Sequence, residues 1–131
     1  MEIKKVEYKD AIEVKKLLVN SPSIVNTSRL LPEILEHIDK EGCVANKIEN
    51  DGKIAGVWLS KEFDTHTSLS YLLIAEELRR KSIVLELFMK SLIKISNSKP
   101  LVLSTKDITG FEKYVKLIDE QNNLYEFKGF R

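Results

Sequence analysis

Hydrophobic and polar positions alternate with two different periods along this chain, and the changes of period mark its elements. Ile3 to Tyr8 alternates weakly, as a first strand would. Ile12, Val14, Leu17 and Leu18 then recur at helical spacing, with Asp10 as the expected N-cap and Glu13 as its capping-box partner. That helix ends before Asn20-Ser21-Pro22, and Ser21 to Ser28 is polar and turn-rich. A second helix starts near Pro32, which suits a first turn, carries Ile34, Leu35 and Ile38, and stops at Gly42. From Cys43 the pattern becomes strand-like. Cys43–Glu49 and Ile54–Lys61 flank Asn50-Asp51-Gly52-Lys53, whose Asp-Gly pair predicts a tight hairpin. Gly56 predicts a bulge or a close backbone approach within the second of these strands.

After a turn over Phe63 to Ser68 comes the stretch that organises the rest. Leu69 to Ala75 is a buried strand, and Arg79-Arg80-Lys81 is a basic loop. Ile83 to Ile95 is a helix whose stripe (Val84, Leu87, Phe88, Leu92, Ile95) is widened by Leu85, Met89 and Ile93. So broad an apolar surface predicts burial on more than one side. Asn97 to Pro100 ends the helix. Leu101-Val102-Leu103 should pair parallel to the preceding strand, since a helical crossover joins them. Gly110 to Leu117 reads as a helix, Asn122-Asn123 as a turn and Leu124 to Phe127 as a last strand. The predicted order is β-α-α-β-β-β-α-β-α-β over residues 1–131, read as one α/β (α+β) domain.

Composition narrows the function classes. Of 131 residues, 43% are hydrophobic and 31% charged, ordinary for a globular protein with its own core. A net charge of +1 offers no global attraction to nucleic acid or to a membrane surface. Arg79, Arg80 and Lys81 alone are a weak case for nucleic-acid binding. The single cysteine, Cys43, cannot form an internal disulfide, and two distant histidines make no metal cluster. No apolar run approaches a membrane span, and the N-terminus lacks a signal-peptide core, so the expectation is a cytoplasmic protein.

Strand, basic loop and helix N-terminus together form an anion-binding arrangement, because the first helical N–H groups lack partners and the helix dipole is positive there. The residues that carry it, Leu72-Leu73-Ile74-Ala75-Glu76-Glu77-Leu78 followed by Arg79-Arg80-Lys81-Ser82-Ile83-Val84, resemble the acyl-CoA-binding motif of the GNAT N-acetyltransferase superfamily. There a strand of the type Leu-Tyr-Val-Ala-Pro-Glu-Tyr precedes Arg/Gln-x-x-Gly-x-Gly/Ala and a helix. Ser82 and Val84 stand where the family has small residues, and a β-branched Val84 is expected to crowd the approach of a phosphate. A second stretch, Asp107 to Leu117, is similar to the family's Asn-x-x-Ala-x-x-Phe/Leu-Tyr-x-Lys-Leu, with Asp107 for the Asn, Gly110 for the Ala and Tyr114 for the Tyr. Ile118-Asp119 replaces the Gly-Phe that follows in the family. Leu124-Tyr125-Glu126-Phe127-Lys128-Gly129-Phe130-Arg131 is a competing register for the same motif, with Tyr125 in reserve.

The resemblance implies a GNAT-like mixed, mostly antiparallel central sheet with helices on both faces. It implies acetyl-CoA as cofactor, no metal, and an amine acceptor that is a small molecule or a protein. Main-chain groups of Leu73, Ile74 and Ala75 would meet the pantetheine arm and the thioester. The loop Arg79, Arg80, Lys81, Ser82, Ile83, Val84 would cradle the pyrophosphate, with Asp107 nearby, and Tyr114 would protonate the leaving thiolate. No general base stands out among His37, Glu62, Asp64, His66 and Glu77, and Trp58 reads as core. The alternative is a fold of this kind that has lost catalysis and serves as a binding or regulatory module. An exposed sheet edge at Leu124–Phe127 would leave a homodimer open.

Overall fold

The structure is a computed structural model that describes residues 2–20, 27–96, 99–106, 108 and 110–128. In chain order the elements are β1 (Glu2–Lys5), a 3-10 turn (Tyr8–Asp10), α1 (Ala11–Leu18), a second 3-10 turn (Thr27–Arg29) and α2 (Leu30–Asp39). There follow β2 (Cys43–Asn50), β3 (Lys53–Glu62), β4 (Thr67–Ile74), α3 (Glu76–Arg79), α4 (Ser82–Ser96), β5 (Leu101–Ser104), β6 (Val115–Asp119) and β7 (Leu124–Phe127). The strands form one sheet in the order β1-β2-β3-β4-β5-β7-β6. Only β4 and β5 pair parallel, as the crossover through α4 requires.

Strand alternation sorts the sheet into two faces. Ile48, Trp58, Leu72 and Ile74 point to α4, where Val84, Phe88 and Leu92 complete a core closed by Phe111 and Phe127. Ala45, Val57, Leu59, Tyr71 and Leu73 point the other way, to Val14 and Leu18 of α1 and Leu30 and Ile34 of α2. Helices therefore cover both faces, and Trp58 is core, at 0% exposure. Its Nε1–H has no acceptor among the described residues, but the indole meets the Phe88 ring edge-on at 4.9 Å.

Several local expectations hold in detail. Asp51 and Gly52 both have positive φ (54° and 77°), the two-residue hairpin geometry that Asp-Gly favours. Gly56 lies beside a register shift between β2 and β3, and a Cβ there would meet the Leu73 carbonyl oxygen at 3.3 Å.

Three expectations are corrected. Residues 110–117 are not a helix: residues 110–114 form a turn entered through Gly110 at φ 88°, and Val115 begins β6. A helix there would forfeit the pairing of Val115, Lys116 and Leu117 with Phe127, Glu126 and Tyr125 of β7. Strand β7 is thus interior, between β5 and β6, and the sheet edge falls at β6 instead of Leu124–Phe127. Asp10 does not cap α1 with Glu13. Its Oδ2 accepts from the Glu7 amide at 2.9 Å and from Lys47 Nζ at 2.8 Å. The cation from β2 captures the carboxylate because both are nearly buried, with Lys47's side chain 4% exposed.

Candidate cofactor cleft

Strands β4 and β5 separate as they run. Pairing covers only Thr67–Leu69 with Leu101–Leu103, so Ser70 to Ile74 continue past the last β5 contact. The cause is local. The β3–β4 register jumps from Leu59↔Tyr71 to Ser60↔Leu69, which leaves Ser70 as an extra residue, and a bulge bends its strand.

At the far end of β4 the chain makes one helical turn, α3, and then enters α4. Within this connection the Arg79 amide donates to the Ala75 carbonyl at 3.1 Å and the Lys81 amide to the Leu78 carbonyl at 3.1 Å. The first intrahelical bond of α4 runs from Leu85 N to Lys81 O, at 3.1 Å. The amides of Ser82, Ile83 and Val84 therefore have no hydrogen-bond acceptor among the described residues. Three orphan donors at the start of a 15-residue helix carry partial positive charge into the solvent beside β4.

The expected crowding by Val84 does not occur at this surface. Its side chain is 0% exposed and packs in the α4 core, so only its backbone can face a ligand. Ser82 is exposed, and Ile83 is 65% exposed. Beside this helix start opens a cleft of about 600 Å³ that includes Arg80, Ser82, Leu85, Met89 and Tyr114. The structure thus brings Tyr114 to one cleft with Arg79, Arg80 and Ser82, across a turn and not across a helix, while Lys81 lines a separate cavity with Leu73, Ala75 and Leu78. Tyr114 is fixed by its own amide on the Phe111 carbonyl (2.8 Å) and by the Lys128 amide on its carbonyl (2.8 Å). Tyr125 lies elsewhere, on β7 and paired with Leu103 and Leu117. Asp107 and Gly129 to Arg131 lie outside the described residues.

Arg79 plays a part that its sequence position does not reveal. Its Nε donates to the Ile74 carbonyl at 2.9 Å, and its guanidinium lies 5.3 Å from the centre of the Phe111 ring. A Cβ on Gly110 would stand 2.8 Å from Arg79 Cβ. The absence of a side chain at 110 lets the turn close against Arg79. The Ala75 carbonyl accepts from the Leu78 and Arg79 amides. Leu73 faces the opposite side of the sheet, against the α1–α2 core.

The candidate bases scatter. Glu62, His66 and their neighbours belong to the β3–β4 turn, at the end of β4 away from the start of α4. Lys99 holds Glu62 there at 2.7 Å, and His66 stacks on Phe63 at 5.0 Å. His37 is 2% exposed, and no position of the apolar stripe of α2 announced its burial. Cys43 is a free thiol, pushed up in pKa by burial. No group of three potential metal ligands occurs among the described residues, and none of their helices is long and apolar enough to cross a membrane.

No protein-family model and no curated protein matches the sequence. Solved structures are similar in shape. The PaiA N-acetyltransferase of Thermoplasma acidophilum, solved in complex with coenzyme A, superposes with a TM-score of 0.66 at 17% identity, covering 97% of this chain and 98% of that one. The ribosomal-protein-S18-alanine N-acetyltransferase of Escherichia coli gives 0.65 at 10% identity, covering 96% and 89%. A GNAT-family acetyltransferase of Brucella melitensis, in complex with acetyl-CoA, gives 0.64 at 14% identity, covering 99% and 88%. The chain has the fold of these GNAT acetyltransferases, at 10% to 17% sequence identity.

Proposed function

We propose that this chain is an acyl-CoA-dependent N-acyltransferase that moves an acetyl group from acetyl-CoA to an amine. The observation that carries the reading is the separation of β4 from β5 directly upstream of three unpartnered amides at Ser82, Ile83 and Val84. A pyrophosphate needs backbone donors with room around them, and this helix start offers them. Arg80 adds positive charge at the same cleft. The cofactor would supply an activated thioester. The chain's own work is to hold and orient it: the amides take the phosphates, and the backbone of Leu73, Ile74 and Ala75 lines the arm. Tyr114 offers a phenol O–H whose proton a thiolate can take.

One contact favours a second reading. Arg79 already occupies the Ile74 carbonyl, and the turn at Gly110 closes on Arg79. A protein that kept the fold and filled its arm channel would serve as a binding module without catalysis.

Calorimetric titration with acetyl-CoA and with free CoA separates the two. Micromolar binding that weakens at least about tenfold in Ser82→Asp, where a carboxylate enters the cradle, is the expected result. Absence of binding by the wild type at millimolar cofactor would sink the acyltransferase reading and leave the binding module.

A further inference from the structure

On the sheet face away from α4, a stripe of polar side chains from α2 and from Arg29, the exposed residue just before it, looks onto the splayed half of β4. Arg29, Glu33 and His37 follow one another at four-residue steps, so they share one side of the helix. Tyr71 stands opposite, just past the last β4 residue that pairs with β5. The His37 and Tyr71 rings meet edge-on, their centres 6.5 Å apart at 72°. The charges of Glu33 and Arg29 both reach the Tyr71 phenol. Burial pushes its pKa up, Glu33 adds to that, and Arg29 opposes it.

Several polar atoms of these groups find no partner among the described residues. His37 Nδ1 lies 2.7 Å from the Glu33 carbonyl oxygen, so Nδ1 carries a proton and donates it, and Nε2 is the ring's other polar atom. That Nε2 is buried and has no hydrogen-bond partner among the described residues. Among the described residues the Glu33 carboxylate and the Arg29 guanidinium form no ion pair, and the Tyr71 hydroxyl no hydrogen bond. A buried polar atom is normally satisfied, and the Nε2 of His37, behind the half-buried Glu33 and Tyr71 and the exposed Arg29, is an exception that needs an explanation.

We infer that this cluster is the seat of a small amine that carries its own carboxylate, an amino-acid-like zwitterion. Its ammonium lies over the Tyr71 ring toward Glu33, and its carboxylate reaches Arg29. The seat holds one charge of each sign, which suits a zwitterion. A polyamine would bring a second cation against Arg29, and a nucleotide would bring phosphates against Glu33. An aromatic face attracts an ammonium, and a guanidinium grips a carboxylate with two parallel donors. Leu73, on the same sheet face, supplies an apolar wall for the rest of the molecule. Naming this ligand the acyl acceptor rests on the acyltransferase reading above; the seat itself does not.

The test uses three matched probes on the full chain without cofactor: leucine, isopentylamine, which lacks the carboxylate, and N-acetylleucine, which lacks the ammonium. The readout is the NMR signal of the His37 ring. The chain has two histidines, and His66, stacked on Phe63 in the β3–β4 turn, is the internal control. Leucine should move His37 saturably at millimolar concentration and leave His66 in place. Isopentylamine should bind about tenfold more weakly, for the loss of one charge-assisted contact, and N-acetylleucine should not bind. Arg29→Gln should lower leucine to the level of isopentylamine without changing isopentylamine. An unmoved His37, equal response to all three probes, or equal weakening of both amines in Arg29→Gln would overturn the inference. Coenzyme binding is read independently. A protein that takes leucine here but no coenzyme A keeps the seat and loses the acyltransferase reading; the converse keeps that reading and removes the seat.

Discussion

The two faces of the sheet are built differently. On the α4 side the core is rich in aromatic rings: Phe88 meets Trp58 at 4.9 Å, Phe111 at 5.5 Å and Phe127 at 6.3 Å, all deeply buried. On the α1–α2 side the buried core is aliphatic and smaller, and polar groups enter it: Lys47 with Asp10, His37, and the half-buried Tyr71. Aromatic residues bury the most area and gain from edge-to-face geometry, so the α4 face is where stability concentrates. The other face gives up apolar burial for charges that must be paired or liganded. Separating the two tasks leaves the α1–α2 side free to carry chemistry without weakening the platform that bends β4.

The sharpest way to break this contrast is Phe88→Ala. Removing a ring that touches three others should cost about 3–5 kcal/mol in equilibrium urea unfolding, and more than Ile34→Ala on the opposite face. Equal costs would mean that the faces do not divide the work.

Next in size is Lys47→Ala, which strands the Asp10 carboxylate and should cost about 3 kcal/mol near neutral pH. Its pH dependence can be signed. Burial pushes the Asp10 carboxyl up, but Lys47 and the Glu7 amide outweigh this and hold it below its usual value. Burial likewise lowers Lys47, and the contacts with Asp10 and Glu49 outweigh it and raise it. The Asp10 contribution is complete above about pH 4 and lost as pH falls through its depressed value; that of Lys47 is complete below about pH 10 and lost as pH rises through its raised value. The gap in stability between wild type and Lys47→Ala should therefore be widest between those limits and close on both sides.

The smallest effect is expected from Gly110→Ala. A side chain at φ 88° and 2.8 Å from Arg79 Cβ should cost about 1–2 kcal/mol and push the turn away from Arg79. If the turn obstructs the cofactor arm, acetyl-CoA affinity should rise in this variant although stability falls. Unchanged affinity would show that the Arg79–Gly110 contact lies clear of the arm.

Much of the fold was legible along the chain because its signals are local. The Asp-Gly hairpin, the strands on either side of it, the long helix after the basic loop and the parallel return at Leu101 each follow from a few adjacent residues. The anion-binding helix start at Ser82 belongs to the same class, since orphan amides exist at any helix N-terminus. Val84 shows the limit. Its identity was plain, but whether it faces a phosphate or the core depends on the rotation of α4, which packing against Trp58 and Leu72 decides.

What the sequence by itself determined was the period of each segment and the places where it changes, because backbone propensity and the alternation of apolar residues act within a few residues. Only tertiary structure could decide what depends on distant partners. Residues 115–119 are a strand because β7 offers them hydrogen bonds. Asp10 leaves its cap because Lys47, 37 residues away, offers a charge. His37 is buried because α2 lies against Tyr71. In each case the local preference is worth about 1 kcal/mol, and a long-range pairing in a low-dielectric interior outweighs it.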